Sequence, residues 1–236
     1  MSRPMIHVRV KPPGVDEGLH AVDQETVEKY LSREWSPFIE WYDTIQGPTH
    51  TIEVLDLAIP GFLAAPPDFK RMLDPKAWSE PMPEALRHAS QALGRLPVDV
   101  DLWDWVPAAD EPARDERRRF LVKLFQATTG GDNHAIPPYG AAACTKLLHR
   151  KRPRLVPIID SGIYRAWAGK DSVNWRTEEM ANIALLMADE LREPERQTEL
   201  DAVETLARGL WPGVLLSKLR LYDIISYHVF EDLKKR

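Results

Sequence analysis

The chain has one cysteine, Cys144, so no internal disulfide framework can hold it together. No apolar run approaches the roughly 20 residues needed to span a bilayer. The first residues, MSRPMIHVRVKPP, lack the apolar core of a signal peptide, and the expected location is the cytoplasm. The seven histidines are scattered without metal-ligand spacing, so neither a metal nor a cofactor is expected. There is no serine-centred elbow, no internal repeat and no low-complexity tract. The loop Gly130-Gly131-Asp132-Asn133-His134 matches no phosphate-binding loop.

Excess positive charge is absent as well. The net charge is −5 and the pI about 5.8. That argues against a protein that coats nucleic acid, whose non-specific affinity needs many cations on phosphates. A single basic patch on an acidic body remains compatible with this balance. Between Gly140 and Ile159 there is no Asp or Glu, while Lys146, Arg150, Lys151, Arg152 and Arg154 all occur.

What the chain does have is helical periodicity cut short by proline and glycine. Ile6, Val8 and Val10 alternate like a short strand. The pattern predicts a helix over 16–33 and another after Thr51, carrying Ile52, Val54, Leu55 and Leu57. Further helices are predicted over about 83–93, 114–127, 141–150, 177–191, 195–209 and 214–234, with a short aromatic turn around Trp103 and Trp105. At 236 residues the chain can bury a sizeable core. The fold class is mainly α, a single helical domain arranged as an orthogonal bundle.

The most informative stretch is IPPYGAAACTKLLHRKRPRLVPIIDSGIYR, residues 136–165. A Pro/Gly turn opens a helix with small residues on its early face. The helix runs into a basic end and breaks at Pro153. An apolar approach then places Asp160 at the start of another helix. A turn that opens a helix presents free backbone N–H groups, which with the helix dipole can hold a phosphate. The alternative is an ordinary turn that packs two helices. Pro138 supplies no N–H, so Tyr139, Gly140 and the residues after them would be the donors. Asp160 can cap the following helix. It can also oppose positive charge developing on a sugar.

The turn Ile136-Pro137-Pro138-Tyr139-Gly140 resembles the hairpin of the helix-hairpin-helix DNA glycosylase superfamily, apolar-Pro-Gly-apolar-Gly. The catalytic aspartate of that superfamily lies about twenty residues beyond the last glycine, and Asp160 lies twenty beyond Gly140. Asp160-Ser161-Gly162-Ile163-Tyr164-Arg165 keeps the acid, hydroxyl, apolar residue and arginine of the superfamily's Asp-Thr-His-Val-x-Arg. The resemblance implies two lobes, about 50–165 and 14–49 plus 166–236. It implies Asp160 as the catalytic aspartate, with Tyr139, Gly140, Lys146, Arg150, Lys151, Arg152, Arg154 and Arg165 against DNA. Ala142 stands where bifunctional members carry their lysine, which implies hydrolysis without a Schiff base. One cysteine cannot ligate the iron–sulfur cluster of some members. The aromatic residues Trp35, Trp41, Tyr42, Trp103, Trp105 and Trp167 would supply a stacking face for an extruded base or belong to the core.

A second resemblance is wider. HTIEVLDLAI, KLLHRKRPRLVPIID and LSKLRLYDIISY are similar to a family of uncharacterised bacterial proteins. Two other readings stand beside the glycosylase: a non-catalytic DNA-binding module and a protein-interaction domain.

Overall fold

The structure is a computed structural model and describes residues 5–10, 18–34, 42–43, 49–53, 56–58, 60, 81–129, 140–169, 173 and 175–235. Strands β1 (Met5–Arg9) and β2 (Leu19–Asp23) pair antiparallel, with Ile6 opposite Val22 and Val8 opposite His20. Nine helices follow among the described residues: α1 (Gln24–Glu34), α2 (Pro81–Leu93), α3 (Leu102–Trp105), α4 (Glu111–Thr129), α5 (Ala141–Lys151), α6 (Ser161–Ala168), α7 (Thr177–Arg192), α8 (Pro194–Leu210) and α9 (Lys218–Leu233). The protein is mainly helical, with one small sheet.

The predicted helix over 16–33 is corrected at its start. Residues 19–23 form β2, because pairing with β1 satisfies the backbone N–H and C=O groups along that strand's edge. Helix α1 begins only after Asp23, whose carboxylate accepts from the Thr26 amide at 2.8 Å. Residues 51–53 are also not helical. Here the Ile52 amide donates to Ser90 Oγ, and the Glu53 amide to Asp56 Oδ2. A single 3₁₀ turn covers 56–58. Helix α9 starts later than predicted, since Ser217 Oγ caps it by accepting from the Arg220 amide at 3.1 Å.

One continuous apolar core runs from Ile6 to Phe230. Two helices sit at its centre. In α5 every residue but Ala142 and Arg150 is buried, and in α9 the residues from Leu219 to Ser226 are all buried. Helices covered on all sides are core elements, whatever their end residues suggest. Helix α4 packs on α2, α5 and α7, while α9 packs on α1, α6, α8 and β1. Thr145 Oγ1 accepts from the Ile159 amide at 3.1 Å. That bond clamps the LVPII approach beside α5 and thereby fixes where Asp160 emerges.

Candidate functional site

Gly140 is the N-cap of α5, in extended conformation and exposed, and no side chain caps the helix there. Ile136, Pro137, Pro138 and Tyr139 of the predicted hairpin turn lie outside the described residues, as do Trp35 and Trp41. A cleft of about 500 Å³ opens at this end of the helix. Gly140, Ala141, Gln126 and Thr129 line one part of it, and Trp175, Arg176, Thr177 and Glu178 the other. The start of α7 thus opens on the same cleft as the start of α5. Its N-cap, Arg176, also makes no side-chain cap.

The basic run has a different fate from the one its charge implies. Arg152 is fully buried and donates to the carbonyls of Leu93 (3.0 Å), Leu96 (3.2 Å), Lys151 (2.7 Å) and Thr49. Lys151 is buried with its Nζ 2.6 Å from Asp56 Oδ2. Half-buried Arg150 donates to the Tyr42 carbonyl at 3.1 Å. Arg154 is exposed, yet its guanidinium grips Asp101 through two bonds, one at 2.9 Å. The loop that carries these residues also accepts from outside. Pro153 O takes the Ser217 hydroxyl at 2.6 Å, and Arg154 O takes the Leu102 amide at 2.9 Å. The HRKRPR run is therefore an internal junction that ties the end of α5 to α2, α3 and α9. An arginine suits such a place because its five rigid donors satisfy several carbonyls at once.

Asp160 is the N-cap of α6. One oxygen, Oδ1, accepts from the amides of Gly162 (2.9 Å) and Ile163 (3.0 Å). Among the described residues Oδ2 takes no hydrogen bond, and the residue is half-buried. The cap fixes the carboxylate by one oxygen and leaves the other available. Gly162 is required there: a Cβ would stand 2.8 Å from the Tyr227 ring and 3.3 Å from Asp160 Oδ1. The ring of Tyr227 therefore lies directly on the first turn of α6.

Behind Asp160 lies a buried group of ionisable side chains from three elements. Asp223 and Arg220 come from α9, with Arg220 Nη1 2.7 Å from Asp223 Oδ2. Tyr42 and Asp43 come from the segment before α2. Asp43 stands 3.8 Å from the Arg220 guanidinium, which lies over the Tyr42 ring. Lys146 and His149 come from α5, and the Tyr42 hydroxyl donates to Lys146 O at 2.5 Å. Burial pushes the Asp223 carboxyl up to about 7; the Asp160 charge adds to the rise, while Arg220 and Lys146 oppose it. Burial, helped by Arg220, pushes the His149 imidazole down to about 3. That ring is neutral, so Nδ1–H donates to Val156 O at 2.7 Å. The remaining sequence-predicted residue, Arg165, is half-buried on α6, and its Nε meets no partner among the described residues.

A model of a family of unknown function, DUF6308, matches residues 24–229. The chain belongs to this family. No curated protein and no solved structure matches it. The DUF6308 match takes in every element from α1 through most of α9, including all three segments whose wording first pointed to an uncharacterised family. In this DUF6308 chain no described helix is long and apolar enough to cross a membrane. The described residues contain no group of three or more His, Cys, Asp or Glu side chains placed to hold a metal. Cys144 is buried, donates to Thr128 O at 2.9 Å, and has its thiol pushed far up by burial, so it is no nucleophile.

Sequence reasoning missed Asp223 as a neighbour of Asp160, and Arg220, Tyr42 and Asp43 as the group around Asp223. The signal was present in KLRLYDIIS. Arg220 and Asp223 lie three apart among the apolar residues Leu219, Leu221, Ile224 and Ile225, where charges enter only as partners.

Proposed function

We propose that the protein binds duplex DNA at the cleft beside Gly140 and hydrolyses the N-glycosidic bond of one extruded nucleotide with Asp160. This is the monofunctional chemistry of the helix-hairpin-helix DNA glycosylase type. The observation that supports it is the state of Asp160: a carboxylate fixed by two backbone amides through one oxygen, with the second oxygen uncommitted. A carboxylate held in place costs no reorganisation when positive charge builds on the sugar. Asp160 follows directly on Ile159, which Thr145 holds against α5. Thr145 is five residues from Gly140, about 7.5 Å along the axis. A nucleotide whose phosphate meets the α5 amides would thus have its sugar near Asp160.

Each step falls to a named group. The amides after Gly140 and the dipole of α5 hold a phosphate. Asp160 Oδ2 orients the attacking water and opposes the oxocarbenium charge. Asp223 is paired with Arg220, and burial raises its affinity for the proton, which the Asp160 charge reinforces. No lysine takes part in covalent catalysis, since Ala142 stands at the hairpin position of the lyase lysine and Lys146 is buried.

The test compares the native chain with Asp160→Asn. Both should bind duplex DNA equally, because Asn keeps the cap. Release of a free base from a duplex carrying the right modified nucleotide should fall at least about a thousand-fold in the variant. Equal release by both proteins would reduce Asp160 to a helix cap.

A further inference from the structure

Most described lysines and arginines have an acid partner. Arg9, Arg87, Arg114, Arg118, Lys151, Arg154, Arg192, Arg196, Arg208, Lys218, Arg220 and Lys235 all sit in ion pairs. Lys29, Arg95, Lys123, Arg176 and Lys234 are exposed and form none among the described residues. Three of these five lie along two adjoining openings. Arg95 and Lys123 face each other across a groove of about 330 Å³ between α2 and α4, with His88, Gln91 and Gln126. Arg176 lines the 500 Å³ cleft at the start of α5. Gln126 lines both, so the two openings adjoin. Among the described residues the groove has no acid in its lining, and the cleft has one, Glu178. The acid of α2, Glu84, lies 3.7 Å from Arg87 and 3.9 Å from His88 of the groove lining.

We propose that the α2–α4 groove, continued past Gln126 into the cleft at Gly140, is the path along which the protein holds the sugar-phosphate backbone of one DNA strand. This inference rests on the DNA-binding reading above and names the surface that carries it. In an acidic protein, cations kept clear of their own acids are the ones free to replace counterions on phosphate. Gln91 and Gln126 add neutral donors of the kind that contact phosphate oxygens. Lys123 and Thr129 are six residues apart on α4, about 9 Å. That span matches two to three nucleotides at 3.4 Å each. The path ends at the α5 amides, one and a half helical turns from the level of Asp160. The HRKRPR run takes no part, because Lys151 and Arg152 are buried, Arg150 is bound to the Tyr42 carbonyl and Arg154 to Asp101.

The experiment measures binding of the full chain to a fluorescent mixed-sequence duplex across a salt series. Three proteins are compared: the native chain, Arg95→Glu/Lys123→Glu, and Lys29→Glu/Lys234→Glu. The last pair are also exposed cations without acid partners, but they lie on α1 and just after α9, and the two double variants change net charge equally. Circular dichroism establishes that all three fold. The expected result is a loss of affinity of at least about ten-fold in the groove variant alone, with the log–log salt slope shallower by about two. Binding that is unchanged in the groove variant, or weakened equally in both variants, overturns the proposed path while leaving the DNA reading intact. Absence of binding by the native chain at low salt overturns the DNA reading itself, and the path with it.

Discussion

The ammonium of Lys151 lies 2.6 Å from Asp56 Oδ2, and both side chains are buried. This pair joins the end of α5 to the segment before α2, one residue from Arg152 and its ring of carbonyls. Lys151→Ala should therefore destabilise the fold by about 3–5 kcal/mol, since it leaves a buried carboxylate without its paired cation. Lys151→Met combined with Asp56→Leu should recover most of that loss. Denaturant titration decides it. A single variant as stable as the native chain would show that the pair contributes nothing to the junction.

Arg152 makes a sharper claim about the same run. Arg152→Met keeps bulk but removes donors from the carbonyls of Leu93, Leu96 and Thr49. A cost of several kcal/mol follows, as each buried acceptor left bare costs about 1–3 kcal/mol. DNA affinity of the surviving folded protein should not change. A stable variant with lost DNA affinity would return Arg152 to the surface role its charge implies.

The buried carboxyl of Asp223 gives a pH dependence with a definite sign. Its affinity for the proton rises from an ordinary 3.8 to about 7 on folding. Between those values the folded protein holds a proton that the unfolded chain has released, so this group's contribution to stability is lost as pH rises. His149 acts oppositely, since its fall from 6.5 to about 3 removes stability as pH drops below 6.5. The stability of Asp223→Asn relative to the native chain should thus climb from pH 4 to pH 7, by on the order of 1–4 kcal/mol. A flat difference across that window would mean that Asp223 titrates normally.

Gly162 is the contact on which Asp160 depends. Gly162→Ala puts a methyl group 2.8 Å from the Tyr227 ring, and the ring cannot yield without leaving α6. The variant should be destabilised by about 1–3 kcal/mol. Base release should also fall, because the displaced first turn carries the two amides that hold Asp160. Unchanged stability would show that Tyr227 moves aside freely.

The long helices were legible in the sequence, and so was the place of Asp160 at a helix start. Proline and glycine mark their ends, and the 3.6-residue apolar period marks their faces. The strand over 19–23 was not legible, because its identity comes from pairing with β1 across the sheet rather than from its own residues. The burial of the basic run was hidden for a related reason. A cation at a helix end looks the same in sequence whether it meets water or the carbonyls of Leu93 and Leu96. Only the helices packed around α5 decide between these. Arg220 and Asp223 were hidden likewise: their partnership joins α9 to Asp43 and to Asp160, which lie far away along the chain.

The most direct test of the central claim, that Asp160 hydrolyses an N-glycosidic bond without a covalent lyase step, is strand integrity after reaction. End-labelled duplexes carrying a panel of modified bases are incubated with the native chain or with Asp160→Asn, then split into samples with and without hot alkali. The account predicts at least one duplex that the native chain renders alkali-labile and leaves intact without alkali, and that the variant leaves untouched. Strand breaks before alkali, equal lability with the Asn variant, or no labile site in any duplex would contradict it.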